Sequence, residues 1–283
     1  MDKKRRIYVL GGLVFLLLIT VSLWSEVLNA GSFQVTFFNV GQGDAAFVRT
    51  SFGKQIVIDG GPDNAILEKL AREIPLWDRT IDMVILSHPA QDHVAGLVSV
   101  LEKYRVQNII WNGIRKDTEI FKTWIRALEQ EEKEGAVVSI VRAPGKVSLK
   151  SKGCPQFLDI LYPINDIAGK VFLDDNDTSA VVRVVSCDHS VLFTGDLSQR
   201  GEKQILSSAY DVRSDVLKVG HHGSRTSSSE EFIQEVSPDV AVISSGRGNR
   251  YGHPHEETLA TLEKYGIDIR RTDEEGDIVF KFK

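Results

Sequence analysis

The chain has 283 residues, a formal net charge of −5 and a sequence pI of about 5.8. That balance excludes an overall basic face for gripping nucleic acid, though not a local one. With 42% hydrophobic and 26% charged residues, the composition is that of an ordinary globular protein with material for a core.

Lys3, Lys4, Arg5 and Arg6 precede an uncharged, mainly apolar run from Ile7 to Ser25. Its length approaches the roughly 20 residues that span a bilayer. The basic flank stays in the cytoplasm, so the expectation is a single-pass anchor over residues 1–30 with the rest outside the cell. The alternative is a cleaved signal segment and a secreted domain. A cut after Ala30 would put Leu28 where a small residue is preferred. Cys154 and Cys187 lack zinc-knuckle spacing, and their pairing stays open.

From Phe33 onward, strand and helix patterns alternate. Phe33 to Val48 reads as two short strands around Asn39-Val-Gly-Gln-Gly-Asp44, whose glycines mark a turn with close backbone approach. Gln55 to Asp59 is a strand ending in Asp59-Gly60-Gly61, and Ala65 to Ile74 is a helix. Met83 to Leu86 is a buried strand. It is followed by His88-x-x-x-Asp92-His93 and by a helix carrying Val94, Leu97, Val98 and Leu101 on one face. Two imidazoles and a carboxylate within six residues, at a strand end and a helix start, form a metal-ligand set. The competing reading makes Asp92 a helix cap and the histidines surface residues.

Asn108 to Trp111 is a strand and Thr118 to Lys133 a periodic helix. Val137 to Val141, Lys146 to Leu149 and Phe157 to Tyr162 are strands, and Asn165 to Asp177 is a polar loop. Ser179 to Cys187 and Ser190 to Phe193 form a hairpin with His189 at its tip. Val191 to Asp196 delivers a carboxylate at a strand end, and Asp215 to Gly220 delivers His221 and His222. A helix (Glu230 to Val236), a strand (Asp239 to Ser245), a loop bearing His253 and His255, a helix (Thr258 to Tyr265) and two closing strands complete the chain. The pattern predicts one α/β domain over residues 32–283.

Six of the seven histidines fall in three clusters, His88 with His93, His221 with His222, and His253 with His255. Asp59 and Asp196 end strands beside glycine. Such clustering is what a metal site at one edge of a sheet requires.

The order Asp59-Gly-Gly, His88-x-x-x-Asp92-His93, Thr194-Gly-Asp196 and His221-His-Gly-Ser224 resembles the metallo-β-lactamase superfamily. Phe37-Phe-Asn-Val-Gly-Gln-Gly-Asp44, Asn176-Asp-Thr-Ser179, Lys218-Val-Gly-His-His-Gly-Ser224 and Tyr251-Gly-His-Pro-His255 look like the hydrolase domain of ComEC-type competence (DNA-uptake) proteins. The resemblance implies an αββα four-layer sandwich and a metal-activated water, with Zn or Mn as the ion. It matches Asp92 and His93 to one metal position, Asp196 to the carboxylate bridging two metals, and His221 to the late ligand, with His222 less favoured. His88 matches the other position, whose remaining ligand would be Asn176 or Asp177. Ala90 stands where relatives place a donor, so one tight ion is expected. The catalytic set so implied is Asp59, Asp92 and His253. Ser224 and Arg225, beside the ligand histidine, are candidates to hold a phosphate, against a reading of Arg225 and Thr226 as ordinary loop polarity. The expected function is an extracytoplasmic, membrane-anchored phosphodiesterase or nuclease acting on DNA. The alternative is a weakened module of the same fold that binds DNA or a surface partner.

Overall fold

The computed structural model describes residues 3–29, 32–149, 154–172 and 174–282; within residues 3–29 it describes the side chains of 4–17 and 20. Helix α1 (Lys3–Asn29) precedes the domain. Among the described residues no helix is long and apolar enough to cross a membrane. The expected span over Ile7–Ser25 is corrected to that extent: the described residues 7–17 form an exposed, largely apolar helix, and most of the rest of the run has side chains outside the described residues.

The first half of the domain supplies β1 (Phe33–Phe37), β2 (Ala45–Arg49), β3 (Gln55–Gly60), α2 (Ala65–Glu73), β4 (Thr80–Leu86), α3 (Gln91–Lys103), β5 (Arg105–Trp111), α4 (Glu119–Lys133) and β6 (Val137–Ile140). The second half supplies β7 (Gly145–Leu149), β8 (Gln156–Tyr162), β9 (Val181–Ser186), β10 (His189–Phe193), α5 (Gln199–Ser207), β11 (Val216–Lys218), α6 (Glu230–Val236), β12 (Val240–Ile243), α7 (Glu256–Lys264), β13 (Asp268–Arg271) and α8 (Thr272–Glu275). The last strand, β14 (Ile278–Phe282), returns to pair antiparallel with β1. One sheet has the order β14-β1-β2-β3-β4-β5-β6, the other β13-β12-β11-β10-β9-β8-β7.

Alternation along the strands builds four layers. In β4, Met83 and Ile85 face the other sheet, while Val84 and Leu86 face the helices. The inner layer also holds Phe37, Val182, Phe193 and Val242. Leu70, Leu97 and Trp124 pack α2, α3 and α4 on one outer side, and Ile205, Phe232 and Leu262 pack α5, α6 and α7 on the other.

The sequence pattern misses α5, because its buried face is only Gly201, Glu202 and Ile205 on a mostly polar stretch capped by Ser198. His189 is the first residue of β10, paired with Ser186, rather than the tip of the turn. Cys154 and Cys187 form a disulfide with Cα atoms 5.0 Å apart, tying the start of β8 to the β9–β10 turn.

Candidate metal centre

The site is assembled at the end of the sandwich where β1, β3, β4 and β10 finish. Gly43, at φ +150°, lies so close to α3 that a Cβ there would stand 2.4 Å from the Asp92 carbonyl oxygen. Asp44 N–H donates to that same carbonyl at 3.2 Å. A second backbone contact seats α3 from below: a Cβ on Gly96 would come within 1.9 Å of Gly60 O. Glycine at both positions lets the start of α3 settle against two strand ends.

Three imidazoles share one arrangement. His93 Nδ1–H donates to Asp59 Oδ2 at 2.9 Å. Ser87 Oγ donates to Asp59 Oδ2 at 2.7 Å and stands 3.1 Å from His88 Nδ1, which therefore donates to it. His222 Nδ1–H donates to the Ser244 carbonyl at 3.0 Å and stands 3.2 Å from Asp44 Oδ1. These tautomers follow from the hydrogen-bond partners. In each ring Nδ1 is occupied, which leaves Nε2 to face inward.

The inward atoms converge. His93 Nε2 is 3.3 Å and His222 Nε2 3.4 Å from Asp196 Oδ2, and His222 Nε2 is 3.2 Å from Asp92 Oδ2. Asp92, His93, Asp196 and His222 each place one ligand atom within 4.8 Å of the others. His88 Nε2 lies 3.9 Å from Asp196 Oδ2. His88 Nε2, His93 Nε2 and Asp196 Oδ1 are buried without a hydrogen-bond partner. Buried polar atoms are normally paired, so this convergence of orphaned lone pairs fits a divalent ion.

The charges agree. Burial alone would depress the His93 and His222 imidazoles. Asp196, with Asp59 and Asp92 at His93 and with Asp44 at His222, outweighs it and holds both well above the ordinary range. Since Nδ1 is occupied in both, the extra proton sits on Nε2, the atom a metal would take. Burial and the neighbouring His93 push His88 down to about 3, so it is neutral and ready to ligate. Burial would raise the Asp196 carboxyl, but His222 and His93 hold it well below the usual range.

Asp44 is the residue that sequence reasoning left without a role. It is buried, 2.5 Å from Lys218 Nζ and 3.2 Å from His222 Nδ1. Burial raises its carboxyl, and Lys218, His222 and His93 together bring it below the ordinary value. Ser87 was likewise missed. A Gly-Asp at a turn and a Ser before His are too common to single out by pattern. Asp59, at φ +56°, takes the expected supporting place behind His93 and Ser87.

The remaining candidates separate. The sequence reading favoured His221 over His222, but the chain turns so that His222 is buried in the four-residue group. His221 keeps 26% side-chain exposure, with Nε2 3.9 Å from Asp196 Oδ2. Asn176 Nδ2 lies 3.4 Å from His221 Nε2, beside the second position. Asp177 turns away, accepting from Ser198 Oγ and lying 4.0 Å from Arg200. Ala90 caps α3 with no side-chain donor. The His253 ring is 5.4 Å from that of His221 and 6.1 Å from that of His222. Burial and the nearby His222 lower it to about 4, so it is neutral at pH 7. Ser224 Oγ pairs with Thr226 Oγ1 at 2.9 Å, and Thr226 Oγ1 is 3.4 Å from His221 Nδ1. Arg225 points to solvent, 3.6 Å from Glu257.

Residues 38–247 match the metallo-beta-lactamase superfamily. The chain is 31% identical over 288 residues to ComE operon protein 3 of Bacillus subtilis (strain 168), covering 95% of this chain and 35% of that protein. It is 30% identical over 274 residues to competence protein ComA of Neisseria gonorrhoeae, covering 94% and 35%. The chain thus spans about a third of the length of these relatives. Igni18, a metallo hydrolase from the archaeon Ignicoccus hospitalis, superposes with a TM-score of 0.56 at 15% identity, covering 88% of this chain and 100% of that one. At that identity the likeness is one of fold.

Proposed function

Because the chain belongs to the metallo-beta-lactamase superfamily, we propose that it is a metal-dependent phosphodiesterase, a nuclease acting on DNA outside the cytoplasm. The observation that carries the reading is the convergence of Asp92, His93, Asp196 and His222 with their ligand atoms within 4.8 Å. Asp92, His93, Asp196 and His222 would hold a divalent ion, Zn or Mn, which when bound would lower the pKa of water from 15.7 toward about 7 and polarise a phosphoryl oxygen. Asp59 and Ser87 fix the ring orientations of His93 and His88. Neutral His253 offers a hydrogen bond to charge developing on the phosphoryl group, rather than an acid proton. Ser224 and Thr226 place hydroxyls beside His221 for the other oxygens.

DNA as substrate is drawn from the competence relatives. The outside location is supported by the Cys154–Cys187 disulfide, since such bonds persist in oxidising compartments. Membrane attachment is supported by the exposed apolar side chains of α1, from Ile7 to Leu17. The test is cleavage of linear single-stranded DNA by the metal-loaded chain, with a chelator control. Turnover that disappears with the chelator supports the nuclease. DNA binding without cleavage would instead favour a weakened module, the reading to which Ala90 points.

A further inference from the structure

The end of the sandwich away from the metal centre carries an exposed apolar group. Phe52, at the tip of the β2–β3 hairpin, is 45% exposed; Leu76 and Trp77, in the turn from α2 to β4, are 75% and 63% exposed. The two turns are neighbours, because Gln55 Nε2 donates to Asp78 Oδ2 at 2.7 Å and Gln55 N–H to Asp82 Oδ2 at 2.9 Å. Arg79 is exposed beside them.

The chain enters the domain at this same end. Gln34 lies opposite Arg49 in the sheet, next to the β2–β3 hairpin. Gln34 Nε2 donates at 3.0 Å to Glu73, three residues before Leu76. Helix α1 ends at Asn29, four Cα steps before Phe33. Its end therefore lies within about 15 Å of Phe33, whatever its direction. The described side chains of α1 include Ile7, Leu10, Leu13, Phe15 and Leu17, all exposed.

We propose that this end of the domain rests in the headgroup region of a lipid bilayer, with Trp77, Leu76 and Phe52 inserted and the metal centre facing away. The inference rests on the reading that α1 attaches the chain to a membrane. Trp suits that layer because its ring is apolar and its N–H is polar. Arg79 suits lipid phosphates. Three exposed large apolar side chains gathered on two adjoining turns point to an interaction surface, whereas single exposed apolar residues do not. Strands β3 and β4 run from this end to Asp59 and toward His88, so the metal centre stands roughly 20 Å above the lipid. A nucleic-acid strand in solution would reach it without crossing the bilayer.

The test uses the full chain with vesicles of phosphatidylcholine and phosphatidylglycerol, made with and without bromine on the acyl chains. The Trp77 signal is the difference in emission between the unmodified chain and Trp77→Phe. Brominated lipid is expected to quench most of that signal, and aqueous iodide little of it. Phe52→Trp in the Trp77→Phe background should restore the bromine quenching. A chain that binds vesicles while Trp77 stays open to iodide and blind to bromine overturns the proposed orientation alone. Trp77 shielded from both quenchers also overturns it, in favour of a second copy of the chain on this surface. Absence of vesicle association overturns the membrane reading beneath it as well.

Discussion

The two halves of the candidate metal centre differ in how firmly the side chains that could serve as donors are held. On one side, His93 is fixed by Asp59, and His222 by Ser244 and Asp44. Both are buried, and both direct Nε2 at Asp196. On the other side, His88 is held by Ser87, and His221 only by a longer 3.4 Å contact of Nδ1 with Thr226 Oγ1. His221 is partly exposed and 3.9 Å from Asp196, Asn176 offers an amide, and Ala90 offers nothing. Both halves are rich in histidine. What separates them is the number of rings locked in place before an ion arrives, because a preorganised donor loses little freedom on binding.

The change expected to erase both halves is Asp196→Ala, since Asp196 Oδ2 lies within 3.9 Å of Nε2 of His88, His93, His221 and His222. Metal content and DNA cleavage should both fall by more than the roughly 10–100-fold that loss of an outer partner costs. Elemental analysis with a turnover assay checks this, and full metal retention would remove Asp196 from the centre. The contrast itself is probed by comparing His222→Ala with His221→Ala. The first should abolish tight metal binding; the second should leave one equivalent bound. Equal losses in the two variants would collapse the distinction.

Asp44→Asn probes the outer support. The amide cannot match the carboxylate between Lys218 and His222, so metal affinity should drop by roughly 10–100-fold while the fold survives. Competition with a coloured chelator measures it, with circular dichroism reporting the fold. Ala90→His works in the opposite direction. After exhaustive dialysis the unmodified chain should keep one equivalent of metal and the variant more, approaching two. Two equivalents in the unmodified chain would mean that the second half is complete without a donor at position 90.

The mildest effect is that of pH. In the metal-free chain His93 and His222 are raised, and their extra protons sit where the ion binds. Binding must displace them, so affinity falls as pH falls and protons are released on binding. His88, at about 3, is already neutral and adds no proton over the range from pH 5 to 8. Calorimetry in buffers of different ionisation heat counts the protons. A count near zero at pH 6 would show that the ion displaces no proton from His93 or His222.

Much of this protein is legible in the chain alone. Strand and helix periods mark the alternating α/β order, and Asp59, His88, Asp92, His93 and Asp196 stand out because each follows an apolar strand that delivers it to one edge. Those are local signals, carried by residues a few positions apart. The choice between His221 and His222 is of another kind. Both residues have positive φ, 48° and 55°, so neither strand nor helix periodicity says which ring turns inward. Asp44 gains its role only when the start of β2 meets β11 and His222, and Ser87 when β4 lies beside β3, across gaps from tens of residues to more than a hundred. The end of the sandwich where Phe52, Leu76 and Trp77 gather with the chain's entry is equally invisible in one dimension. Local patterns decide which elements form; packing decides which side chains share a place, because contact depends on three-dimensional proximity and not on spacing along the chain.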